Sequence, residues 1–287
     1  EFYNISIGKN KKLKGADIFL NKMSVTVTET LILAGVLAKG KTVIGNAAME
    51  PEIKDIADFL NSCGAKIKGA GTSTVEITGG DLLKAGKKVY KTLPDRIEAG
   101  SFLILGALAG DDLEITNCNP GHIKILINML KDSGVPIIER KNKIIIKRNG
   151  RMKNKNFKCV DIKTHEYPGF PTDLQSPMAV YLTQISGENL LFETIFEGRL
   201  NYTSDLVKMG ADITMWDPHR IMIKGPTLLR GKELVGPDLR AEFAFFMAAI
   251  IAKGESVINN VQYIGRGYER IEERLRGIGV DIKRVKN

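Results

Sequence analysis

The sequence predicts an α/β (α+β) chain assembled from repeats of a βαβαββ unit, and three observations predict it. Four stretches each open on a glycine, run through a β-rich segment and an amphipathic helix, and reach a second glycine. The pairs are Gly40 and Gly64, Gly110 and Gly134, Gly187 and Gly210, and Gly254 and Gly279, separated by 24, 24, 23 and 25 residues. An apolar, helix-like run stands before each opening glycine. Hairpin-like strings, "TVEITGG" and "KIIIKRNG", close two of the stretches. Self-similarity of this kind, with a period of about 70 residues, marks stacked supersecondary units.

Each element follows from its local pattern. Short β-prone strings such as "GADIFLNK" and "GKKVYKTL" supply a first strand. The runs "SVTVTETLILAGVLAKG", "RIEAGSFLILGALAG", "DLQSPMAVYLTQISG" and "RAEFAFFMAAIIAKG" are apolar around most of their circumference, which predicts four buried helices. The opening glycines suit the left-handed position after a helix C-terminus. Second helices are expected to start at Pro51-Glu52, Pro120-Gly121, Gly198-Arg199 and Gly265-Arg266-Gly267, and each second glycine is followed by a further strand. A buried helix layer enclosed by sheets and outer helices packs such units.

Length and composition bound the function. The 287 residues suggest two domains, and 43% hydrophobic with 26% charged residues is an ordinary globular balance. The longest apolar run, Phe243 to Ala252, falls short of the ~20 residues of a membrane helix, and no charged-then-apolar leader opens the chain. No membrane association is expected. Cys63, Cys118 and Cys159 are odd in number and have no CxxC spacing, which argues against a disulfide framework or a zinc site and for a reducing, cytoplasmic setting. Net charge is +9, from 42 Lys and Arg against 33 Asp and Glu, and implies an anionic partner. Nucleic acid is disfavoured, because aromatics are only 7% and do not interleave with the basic residues. Much of the charge is surface lysine, as in "RMKNKNFK".

The starts of the four apolar helices carry the candidate chemistry. They read Lys22-Met23-Ser24, Pro94-Asp95-Arg96, Pro171-Thr172-Asp173 and Pro237-Asp238-Leu239-Arg240. Ser, Thr and Asp are N-cap residues and Pro suits a first turn, so capping alone explains any one of them. The set asks for more, because Lys or Arg stands beside the positive end of a helix in three copies. Helix N-termini flanked by cations hold phosphate or carboxylate well. In "RGYERIEERLRGIG" Arg266 is the functional candidate. The charges from Glu269 to Arg276 form a solvated face, with Glu272 and Arg276 as an i,i+4 pair.

The strings "LPDRIEAG", "YPGFPTDLQ", "ETIFEGR", "GPDLRA" and "RGYERIEERLRGIG", in that order, resemble the enolpyruvyl transferase family. "AAMEPEIKDIADFLNSCGAKI" adds to the resemblance. It lies with the branch that uses UDP-N-acetylglucosamine rather than with the shikimate-pathway synthases. The resemblance implies a two-domain, inside-out α/β barrel of six units, with substrates in the cleft between domains. Four of the six units are present. Residues 1–92 would be the remnant of a first domain, an end hairpin plus one unit, and residues 93–287 a second domain of three units.

The implied reaction adds the sugar 3-hydroxyl of UDP-N-acetylglucosamine to phosphoenolpyruvate and releases phosphate, with no metal or organic cofactor. It is the first committed step of peptidoglycan synthesis, and so belongs to cell-wall biogenesis, cell shape and division. By resemblance Asp173 is the base on the sugar hydroxyl, and Asp238 acts around the tetrahedral intermediate. Arg240 and Arg266 bind phosphoenolpyruvate, and Lys22, Met23, Ser24 and Val25 hold the UDP part. Ile195 contacts the sugar through its backbone, and Arg96 is a further binding candidate. The family's reactive-cysteine loop and early Lys-Asn pair have no match in this sequence, so the chain alone is expected to turn over little. A missing N-terminal segment is an expected partner. Thr26, Gly198, Tyr263 and Gly265 depart from the family's glycine, asparagine, histidine and aspartate. These departures keep open a non-catalytic UDP-sugar or phosphate binder of the same fold.

Overall fold

The computed structural model describes residues 12–86, 89–109, 112–147, 157–236, 239–262 and 264–285, apart from the side chains of Leu239, Arg240 and Glu242. The chain divides into two compact units. One comprises residues 1–93 with Glu166–Pro168, the other residues 94–165 and 169–287.

The first unit is a complete βαβαββ repeat. Its elements are β1 (Asp17–Phe19), α1 (Val25–Gly35), β2 (Lys41–Gly45), α2 (Pro51–Ser62), β3 (Lys66–Lys68) and β4 (Thr74–Thr78). The sheet runs β1-β2-β4-β3. β1 lies parallel to β2 across the α1 crossover, and β4 runs antiparallel to both β2 and β3. A parallel neighbour needs such a crossover, whereas β3 and β4 need only a tight turn. Alternation on β4 buries Val75 and Ile77 against Ile32, Ile44, Ile53, Ala57 and Leu60.

The second unit holds three partial or complete copies. The first comprises α3 (Arg96–Ala109), β5 (Asp112–Thr116), a 3-10 turn at Pro120–Ile123, α4 (Lys124–Ser133), β6 (Ile137–Arg140) and β7 (Lys143–Lys147). The next comprises β8 (Ile162–Lys163), a 3-10 turn at Thr172–Leu174, α5 (Gln175–Leu182), β9 (Gly187–Phe192), α6 (Thr203–Lys208), β10 (Asp212–Asp217) and β11 (Arg220–Gly225). The last comprises β12 (Glu233–Val235), α7 (Leu239–Ile251), β13 (Val257–Asn259), a 3-10 turn at Ile264–Arg266 and α8 (Ile271–Gly277). The order β8-β9-β11-β10 repeats the topology of the first unit's sheet.

α3, α5 and α7 pack on one another at the centre of this unit. All eight residues of α5 are buried, as is every residue of α3 from Ala99 to Leu108. Gly100 makes part of that packing possible. A Cβ there would stand 2.5 Å from Leu174 Cδ1, so the missing side chain lets α3 close onto the turn that opens α5.

The paired glycines have a conformational cause. Gly40, Gly64, Gly134, Gly187, Gly210, Gly254 and Gly279 all have φ between +95° and +115°. At Gly40, Gly64, Gly254 and Gly279 a Cβ would meet open space. The demand at these positions is for positive φ, not for room. Gly110 lies outside the described residues.

Several expectations need correction, among them the second helix of the third copy, which starts at Thr203 rather than at Gly198-Arg199. α1 is not buried all round, and it exposes Val27 and Leu33. Among the described residues of its unit it has no second apolar helix beside it, whereas α3, α5 and α7 cover one another. The string "GKKVYKTL" is no strand over its described part, Val89–Leu93. Tyr90 instead lays its ring against Phe59, 5.2 Å between centroids, and donates its hydroxyl to Asp55. Residues 280–285 form no strand after Gly279, since no neighbouring strand among the described residues pairs with them. Arg276 bonds the backbone carbonyl of Glu272 rather than its carboxylate, which faces Arg284 at 3.4 Å. The sheets and helices form no closed barrel among the described residues. No helix there is long and apolar enough to cross a membrane.

Candidate functional site

Two of the helix starts are side-chain caps, and a third holds an ion pair. Ser24 caps α1, its Oγ accepting from Val27 N at 3.3 Å. Asp95 caps α3, its Oδ1 accepting from Ile97 N at 2.8 Å and Glu98 N at 3.0 Å. Capping therefore accounts for the side chains of Ser24 and Asp95. Asp173 differs. It lies within the 3-10 turn ahead of α5, and neither that turn nor α5 receives a side-chain cap. Its carboxylate, 41% exposed, meets Arg199 instead, with Oδ1 3.1 Å from Nη2.

A hydrogen-bonded network surrounds this pair. Arg199 Nη1 donates to Thr172 Oγ1, and the Thr172 hydroxyl donates to Glu193 Oε2 at 2.7 Å. The guanidinium also lies over the Phe196 ring, 4.3 Å from its centroid. Glu193 is fully buried. Its Oε1 accepts from Thr164 Oγ1 at 3.0 Å, Ile195 N at 2.8 Å and Phe196 N at 3.1 Å. Ile195, expected to meet a ligand through its backbone, thus has its N–H held by Glu193.

Arg266 is exposed in the 3-10 turn that precedes α8, so it lies ahead of the helix rather than on it. Tyr268, two residues on, anchors the turn. Its hydroxyl is 2.7 Å from Ser101 Oγ, and its ring stacks on Phe243 at 4.6 Å. Burial pushes the Tyr268 phenol far above its ordinary range, and the negative charges of Asp95, Glu98 and Asp173 push it further. The start of α3, the turn before α5 and the "RGYER" turn are therefore electrostatic neighbours. Arg274 pairs with Glu98 and stands 4.6 Å from the centroid of Phe102.

The remaining candidates are placed as follows. Arg96 opens α3 and is half-buried, and Arg240 lies in the first turn of α7. Asp238 and Tyr263 lie outside the described residues. In the first unit Lys22 is exposed, Met23 and Ser24 are half-buried, and Val25 is the first residue of α1. Nearby charge there is acidic. Burial raises the Glu29 carboxyl above its usual range, and Glu52 and Glu50 add to the rise. Glu50 is 8% exposed, and its Oε2 finds no hydrogen-bond partner among the described residues. Cys118 is buried, which pushes its thiol up, Cys63 is half-buried and Cys159 is exposed. No His, Cys, Asp and Glu cluster fit for a metal occurs among the described residues.

Sequence reasoning missed Glu193, Tyr268 and the partnership of Arg199 with Asp173. One signal for Glu193 was available. Asn46, Asn117 and Asn260 each follow the last residue of a strand and each have positive φ. In the remaining copy, the residue after β9 is Glu193.

The model of one protein family, described as EPSP synthase (3-phosphoshikimate 1-carboxyvinyltransferase), matches residues 2–275. Curated relatives bear the name UDP-N-acetylglucosamine 1-carboxyvinyltransferase. The one from Koribacter versatilis is 44% identical over 277 residues, covering 96% of this chain and 62% of that one. The one from Halothermothrix orenii is 46% identical over 278 residues, covering 97% and 65%. The chain thus spans about two-thirds or slightly less of their length, 62% and 65%. Among solved structures, the enolpyruvyl transferase NikO from Streptomyces tendae superposes with a TM-score of 0.77 at 24% identity, covering 90% of this chain and 60% of that one. An EPSP synthase from Acinetobacter baumannii gives 0.71 at 21% identity, covering 96% and 64%. Both show that the fold is shared.

Proposed function

The chain belongs to the EPSP synthase family of carboxyvinyl transferases, and from that premise we propose that it is part of an enzyme that transfers the enolpyruvyl group of phosphoenolpyruvate to the 3-hydroxyl of UDP-N-acetylglucosamine. The names of the relatives at 44% and 46% identity support this choice of acceptor over 3-phosphoshikimate. The observation that carries the proposal is Asp173. Its carboxylate stands partly exposed at the start of a buried helix and is held by Arg199, which the Thr172 hydroxyl in turn ties to the buried Glu193.

The chemistry assigns each residue a task. The sugar hydroxyl loses its proton to Asp173 as its oxygen bonds to C2 of phosphoenolpyruvate, and C3 gains a proton. Phosphate then leaves C2 as C3 gives up a proton, which restores the double bond. Asp238 is assigned to that second stage. Arg266 and Arg240 hold the phosphate and carboxylate of phosphoenolpyruvate, where charge-assisted donors bind tightly. Arg96 is assigned to the same anions. Lys22 and the Met23–Val25 segment hold the uridine diphosphate, and the Ile195 backbone orients the sugar. Gly198 does not bar this, because its φ of +76° lies in the left-handed region that asparagine also tolerates. A Cβ at Gly265 would meet open space, so aspartate fits there as well. The setting is the cytoplasm and the product feeds cell-wall synthesis.

Phosphate release tests the proposal. The chain completed to its relatives' length should release phosphate only with both substrates present, and Asp173→Asn should abolish release without loss of fold. The present chain alone should release little. Full turnover by Asp173→Asn would remove the proposed base.

A further inference from the structure

The third repeat breaks the pattern of its siblings at one position. In the other three, an asparagine with φ of 52° to 58° follows the strand and ends it. After β9 stands Glu193, which is absent from the residues with positive φ and carries the strand pairing one step further. Its N–H donates to the His219 carbonyl at 2.8 Å, and His219 Nδ1 is 2.9 Å from its carbonyl. Its carboxylate is fully buried and accepts four hydrogen bonds. A buried carboxylate is expensive unless both oxygens are hydrogen-bonded, and here both are. Where a chain departs from its own rule at such a site, a functional demand is a sound explanation.

We propose that Glu193 is a positioning residue for Asp173, acting through Thr172 and Arg199, and this rests on the function proposed above. The Thr172 hydroxyl has a single proton. Because Arg199 donates to its oxygen, that proton is directed to Glu193 Oε2, which sets the hydroxyl's rotation. The oriented oxygen fixes one arm of the guanidinium, and the other arm then holds Asp173 Oδ1 at 3.1 Å. Through Oε1 the same carboxylate ties the Ile195 and Phe196 amides, and Phe196 in turn forms the face on which Arg199 lies. One side chain therefore orients both the base and the backbone assigned to the sugar. In Glu193→Gln the amide nitrogen cannot accept. With its oxygen kept on the two backbone amides, its NH₂ faces the Thr172 oxygen as a second donor, so the Thr172 proton loses its acceptor and the hydroxyl loses the rotation that orients Arg199.

The test uses the full-length enzyme. Glu193→Gln should lower kcat by about tenfold to 100-fold, as expected for a misplaced reacting group, while KM for phosphoenolpyruvate stays within about twofold. Thr172→Val should reproduce the loss and Thr172→Ser should restore most of it, and this pair decides the matter if Glu193→Gln does not fold. An unchanged kcat, or a Thr172→Ser enzyme as poor as Thr172→Val, would overturn the proposal. If the unmodified enzyme turns over neither substrate, the proposed function fails by itself. The positioning role is then decided by a crystal structure of the Glu193→Gln chain. Separation of Asp173 from Arg199 supports it, and a retained 3.1 Å contact refutes it.

Discussion

Removing the hydroxyl of Tyr268 isolates the contact that ties the "RGYER" turn to the helix core. Tyr268 is 7% exposed, Ser101 is fully buried, and their oxygens are 2.7 Å apart. Tyr268→Phe keeps the stacking on Phe243 and leaves the Ser101 hydroxyl without that partner. An unsatisfied buried hydroxyl costs about 1–3 kcal/mol. Ser101 sits inside α3, where it can turn back to a carbonyl of the preceding turn, so the lower half of that range applies, about 1–2 kcal/mol. Ser101→Ala strands the phenol in the same way. The double variant removes both partners, so its destabilisation should be smaller than the sum of the singles by about 1 kcal/mol. Urea or thermal unfolding of the chain measures this, and each kcal/mol corresponds to a midpoint shift of about 2–4 °C for a unit of this size. Additive losses, or no loss in either single variant, would refute the claim that this hydrogen bond holds the turn carrying Arg266.

Three further outcomes follow from the same physics. Glu29 has a raised native pKa, so the folded state binds more protons than the unfolded state from its ordinary value near 4.5 upward. Its ionisation lowers stability as pH rises through that window, and Glu29→Gln should stabilise the chain at pH 7 but not below pH 4, read from unfolding midpoints. Glu139 behaves oppositely. Hydrogen bonds from Lys124 and Lys131 lower its pKa, so its contribution is present above 4.5 and lost as pH falls through the depressed native value. Glu139→Gln should cost about 0.5–1 kcal/mol at pH 7, because the group is still partly solvated, and almost nothing in acid. Gly100→Ala should destabilise by about 1–3 kcal/mol in a denaturant titration, since its Cβ would press on Leu174. A neutral result would mean that the α3 contact with the turn before α5 is loose.

The repeat was legible because its punctuation is local. Positive-φ glycines, apolar helices and period-two strands each leave a pattern in the chain, and the first unit realises the whole βαβαββ order. What failed depended on neighbours. The same apolar composition gives a buried α3 and a half-exposed α1, because burial is decided by whether other helices lie alongside. Val89–Leu93 has strand propensity, but Tyr90 packs on Phe59 in place of joining a sheet. For the site, the helix starts could be read as candidates, but which of them pairs with a residue distant in sequence could not be told. Ser24 and Asp95 find backbone amides within three residues, whereas Asp173 is claimed by Arg199, distant in sequence and close in space. Glu193 reads as a surface residue until its burial is seen.

The most direct test of the proposed chemistry is to identify the product by mass. The full-length enzyme is given phosphoenolpyruvate with UDP-N-acetylglucosamine and 3-phosphoshikimate in equal amounts. The expected result is an enolpyruvyl adduct on the UDP-sugar alone, absent in Asp173→Asn. An adduct on 3-phosphoshikimate, or a UDP-sugar adduct formed equally well by Asp173→Asn, would contradict it.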